Sequence, residues 1–137
     1  MLKKTVTYED YNGVERTEDF YFNLTKSEIM KLEMGTDGGY AEMLQRISNA
    51  KNAPEIMTQF ERILKLAYGE RSDDGRRFVK SEAISDAFLQ TPAYDTIFME
   101  LCTDAEAAAK FINAIVPKDM QQKDADVVDF ARKQLAN

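Results

Sequence analysis

The stretch YGERSDDGRRF, residues 68–78, gathers Glu70, Asp73 and Asp74 with Arg71, Arg76 and Arg77 around Gly75. Carboxylates spaced around a glycine are the raw material of a calcium loop, so that chemistry is the first to test. If Asp74-Gly75 occupy the fifth and sixth positions of an EF-hand loop, Glu70 is first, Ser72 third and Ser81 twelfth, where a bidentate acid is required. Glu82 comes one residue too late, and the three arginines repel a divalent cation. A phosphate cradle needs several glycines followed by Gly-Lys-Ser/Thr, and neither is present. Two readings remain. One is a turn built on Asp74-Gly75, with arginines solvated or paired to neighbouring acids and Phe78 anchoring the chain to the core. The other is a contact surface for another protein made of Arg71, Asp74, Arg76, Arg77 and Phe78, since arginine is favoured at interfaces.

Elsewhere the composition removes chemistry. With no histidine, a His general base, a Ser-His-Asp or Cys-His nucleophile and every His-bearing zinc site are excluded. Cys102, the single cysteine, can close no intramolecular disulfide and is read as a small buried hydrophobe near a helix end. The acid pairs Glu9/Asp10, Glu18/Asp19 and Asp73/Asp74 lie beside turns and strand ends, without the apolar enclosure that tunes a carboxylate for acid-base work. They are expected to be solvated edge residues that discourage uncontrolled strand pairing. No catalytic, cofactor-binding or metal-ligating residue is assigned, and no cofactor is expected. The weakest reading is a carboxylate-and-magnesium hydrolase using Asp73 and Asp74.

A net charge of −6 argues against nucleic-acid or anionic-membrane binding, both of which need a basic face. No stretch approaches the length of a transmembrane helix, and no apolar run follows the opening Lys3-Lys4 pair as in a signal peptide. Seven methionines are many for 137 residues. Met30, Met34, Met43, Met57 and Met99 fall on predicted helices, where core filling is the first explanation and an adaptable apolar surface for a client the second.

The elements that must position these residues begin with a β-hairpin over 2–24. Leu2, Val6 and Tyr8 share one face, with Lys4 as the exception, and Phe20, Phe22 and Leu24 share another across an Asn12-Gly13 turn. No later segment reads as a strand with comparable force. Thr25 and Glu28 form a capping box for a helix ending near Met34. Tyr40, Met43, Leu44 and Ile47 mark a second helix. A third starts at Pro54 and carries the stripe Ile56, Phe60, Ile63, Leu64 and Ala67, ending at Gly69. Ser81, Thr91-Pro92 and Thr103-Asp104 each open a further helix before Pro117. The fold predicted is mainly α with an N-terminal β-hairpin (α+β), of six to seven short helices, with 1–117 as a single domain and helices spanning 26–116. Residues 118–137 are read as a loosely docked or partly disordered terminal helix.

One long string carries more than periodicity. Tyr68-Gly69, Arg71-Ser72 with Asp74-Gly75, Phe78, Lys80-Ser81, Phe88, Thr91 with Ala93-Tyr94, Phe98 and Phe111-Ile112-Asn113 before Pro117, together with the hairpin and FNLTKSEIMKLE, resemble the tail assembly chaperones of long-tailed bacteriophages, in the form common among phages of Gram-positive hosts. The resemblance spans about residues 1–117. It implies a non-enzymatic protein of the bacterial host cytoplasm that binds the tape measure protein, recruits tail tube subunits and is absent from the mature virion, with self-association as a further option. It also implies that a longer, frameshifted product can accompany the short one. The alternative is a minor structural or connector protein of the tail.

Overall fold

The computed structural model describes residues 1–40, 42–43, 46 and 50–117. Two strands come first, β1 (Leu2–Glu9) and β2 (Glu15–Phe22), paired antiparallel from Leu2↔Phe22 to Glu9↔Glu15. Their turn is fastened by Asp10, whose carboxylate accepts from the Asn12 and Val14 amides at 2.9 Å each and from Arg16 Nε at 2.6 Å. Gly13 follows at φ +79°, in the left-handed region that favours glycine. Alternation then decides the faces: Val6, Phe20 and Phe22 are buried while Thr5, Thr7, Thr17 and Asp19 stay exposed. Lys4 shares the inward parity of Val6. Its ammonium reaches Glu100 at 3.0 Å, so the charge that interrupts the apolar pattern is paired.

Helix α1 (Lys26–Met34) starts from the capping box as predicted: Thr25 Oγ1 accepts from the Glu28 amide at 3.1 Å and Glu28 Oε1 from the Thr25 amide at 2.9 Å. Helix α2 (Ala53–Ala67) buries Ile56, Phe60, Ile63, Leu64 and Ala67, the whole predicted stripe. It does not end at Gly69. The chain leaves it at Tyr68 and enters β3 (Tyr68–Arg71), which pairs with β4 (Phe78–Val79) through Glu70↔Val79 and Arg71↔Phe78. The sheet therefore has four strands in the order β1-β2-β3-β4. The stretch the sequence presents as a connection is its second hairpin. Helices α3 (Glu82–Leu89), α4 (Pro92–Thr103) and α5 (Ala105–Ile115) follow, N-capped by Ser81, Thr91 and Asp104.

Five helices are delimited among the described residues, fewer than the six to seven predicted. Of the predicted second helix, Tyr40 and Met43 are helical, whereas Leu44 and Ile47 lie outside the described residues, as does the terminal helix over 118–137. The fold is α+β, with α4 and α5 against β1 and the core between sheet and helices. Phe22, fully buried, joins the layers: its ring meets Phe111 at 5.2 Å and Phe88 at 5.7 Å, both edge-on. Tyr68 on β3 stacks on Phe88 at 4.1 Å.

Candidate functional site

Two exposed regions of this frame offer contacts: the outer sheet face with the β3–β4 turn, and the surface of α1 and α2. In the turn, the Ser72 amide donates to the Arg77 carbonyl at 2.8 Å and the Gly75 amide to the Ser72 carbonyl at 2.9 Å. Asp74 Oδ1 accepts from Ser72 Oγ at 2.8 Å and from the Arg76 amide at 3.0 Å, and Ser72 Oγ accepts from the Arg77 amide at 2.9 Å. The Arg76 amide and the Ser72 hydroxyl hold the Asp74 carboxyl below its ordinary pKa. Gly75 has φ +74°. Asp74-Gly75 thus make the turn, and the carboxylate is spent on fastening it. Among the described residues, no group of three or more His, Cys, Asp or Glu is placed to hold a metal ion.

The five predicted contact residues divide. Arg71 and Phe78 stand directly opposite one another, on the sheet face away from Tyr68. Arg71 is laid over Tyr21, its Cζ 4.2 Å from the ring centroid and Nη2 donating to the phenol oxygen at 2.9 Å. Phe78 does not anchor into the core. It covers Gly69, where an added Cβ would come within 2.6 Å of the ring, and Lys80 Nζ sits 5.7 Å from the Phe78 centroid. The side chains of Arg76 and Arg77 are exposed at the turn.

Lys80 was legible only as part of a motif, yet it connects this hairpin to the helices. Its ammonium donates to the Asn23 carbonyl at 2.6 Å and to Glu28 Oε2 at 2.7 Å. Burial pushes the Glu28 carboxyl up, but the Lys80 and Thr25 hydrogen bonds outweigh it and leave the pKa lowered. A lysine 52 positions from its partner gives no local signal in sequence.

The methionines overturn the core-filling expectation for four of five. Met30, Met34, Met57 and Met99 are 63%, 80%, 45% and 49% exposed, and only Met43 packs against the core. Leu66 is exposed as well. Between α1 and α2 runs a groove of about 400 Å³ floored by Leu24, Leu32 and Leu66 and flanked by Lys31 and Arg62. Cys102 is half-buried and burial raises its thiol pKa, away from the reactive thiolate.

The sequence model of the family described as phage tail assembly chaperone matches residues 1–135. The chain belongs to that family. No curated protein and no solved structure matches it. In this tail assembly chaperone the match reaches beyond the stretch whose motifs carry the resemblance, taking in nearly all of residues 118–137. Among the described residues, no helix is long and apolar enough to cross a membrane.

Proposed function

We propose that this chaperone is a non-catalytic holder in tail morphogenesis, binding the tape measure protein and recruiting tail tube subunits in the host cytoplasm. The observation that carries the reading is the family match over residues 1–135. The exposed methionines of α1 and α2 support it, as does, separately, the apolar-floored groove between these helices. Met is unbranched and polarisable, so the exposed side chains of Met30, Met34 and Met57 can repack against segments of differing sequence. Apolar client segments are covered there until tube subunits displace them. The β3–β4 turn is the secondary contact, with Arg76 and Arg77 free to reach outward and Asp74, Arg71 and Phe78 fixing its shape.

Quantitative mass spectrometry of purified tails tests where the chain acts. A holder leaves before completion, so the chain is expected well below one copy per particle. Stoichiometric copies would instead make it a minor structural or connector protein.

A further inference from the structure

Strand β2 has eight residues, but β3 pairs with only the last two, through Tyr21↔Gly69 and Phe22↔Tyr68. Among the described residues, no strand pairs with the β3 side of Glu15–Phe20. Backbone direction on that side follows from one bond: the Asn23 amide donates to the Ala67 carbonyl at 2.8 Å. Antiparallel ladders alternate, so Tyr21, Asp19 and Thr17 turn their amides and carbonyls the same way, away from β1. Beyond Tyr21, Asp19 lines an open cleft of about 590 Å³ between β2 and the β3–β4 hairpin, and Thr17 continues the same edge past it.

The cleft is acidic. Glu18, Asp19, Glu70 and Asp73 line it, with Arg71, held over Tyr21, the only base among its lining residues, so four acids against one base leave the lining net negative. Glu18 and Asp19 accept from the neutral hydroxyls of Tyr8 and Thr5, and Arg16, the cation that also feels Glu18, is paired with Asp10. Glu18 and Glu70 approach Tyr68 from opposite walls: burial, then Glu70, then Glu18 raise its phenol pKa.

We propose that the open stretch of β2 around Thr17 and Asp19 accepts an extended, lysine- or arginine-bearing segment of a partner protein as an added strand. Main-chain hydrogen bonds supply the affinity and the four carboxylates select the charge. The same acids disfavour pairing of this edge with its counterpart in a second copy. The outer edge of β1 is guarded differently, by Lys3 and the inward-turned Lys4, a common defence of edge strands. The proposal goes beyond the chaperone reading and does not depend on which tail protein is the client.

The test uses the full chain and a synthetic eight-residue peptide alternating lysine with threonine and valine, beside its glutamate-for-lysine counterpart. Amide hydrogen exchange and fluorescence anisotropy are read at low salt. The lysine peptide is expected to slow exchange at Thr17 and Asp19, and the glutamate peptide to leave it unchanged. The variant Glu18→Gln/Glu70→Gln/Asp73→Asn, which preserves side-chain shape, should weaken lysine-peptide binding roughly ten-fold. Because Glu70→Lys/Asp73→Lys alters only exposed positions, it serves as a second variant and should bind the glutamate peptide in preference. Unchanged exchange at millimolar peptide, equal binding of both peptides, or protection of Thr17 and Asp19 that grows with protein concentration alone would overturn the proposal. The last result would assign the edge to a second copy.

Discussion

Glu28 satisfies the first turn of α1 through one carboxylate oxygen and holds the Lys80 ammonium with the other. Its folded-state pKa is lowered, so its contribution is complete above the unfolded-state value and is lost as pH falls through the folded one. Glu28→Gln is expected to destabilise the protein by about 1 kcal/mol at pH 7, allowing for partial exposure. The gap to wild type should close in acid, as read by urea unfolding at a series of pH values. A gap constant down to strong acid would show that shape, not charge, is lost. Gly69 makes a steric case at the same scale. An added methyl meets the Phe78 ring, so Gly69→Ala should cost about 1–3 kcal/mol. Removing the ring relieves the clash, and Gly69→Ala/Phe78→Ala should lose less than the sum of the single changes in denaturant melts.

Helix α1 shows how one element can be read correctly in outline and wrongly in facing. Ile29 and Leu32 pack partly against the core, while Met30 and Met34, four residues apart, share the outward face. Replacing Met30, Met34 and Met57 with serine should therefore leave stability within about 0.5 kcal/mol per site, measured by thermal melting, because little buried area is lost. The caps at Thr25, Ser81, Thr91 and Asp104 were legible because each is settled within three residues. So was the stripe of α2, whose apolar side chains recur at helical spacing. Strands β3 and β4 were not legible. A two-residue strand has no alternation to display, and Tyr68–Arg71 is held in the sheet by β2, which lies far back in the chain. The predicted contact residues were found in one hairpin, but Arg71 is occupied by Tyr21 and Phe78 by Gly69. Both pairings depend on that sheet.

In the whole molecule, sheet and helices are joined through one aromatic cluster in which Phe22 touches Tyr68, Phe88 and Phe111. Phe22→Ala should cost about 3–5 kcal/mol, a large part of the roughly 5–15 kcal/mol that holds an ordinary domain together, and so lower the melting temperature steeply. Met30, Met34 and Met57 are exposed and lie outside that cluster, so the client binding proposed for them can be tested with a folded variant. The decisive measurement is co-expression of the tagged chain with the tape measure protein, comparing wild type with Met30→Ser/Met34→Ser/Met57→Ser. Wild type is expected to keep the tape measure protein soluble and to co-purify with it, while the equally stable variant recovers several-fold less. A tape measure protein that neither gains solubility nor co-purifies with the wild-type chain would contradict the proposal.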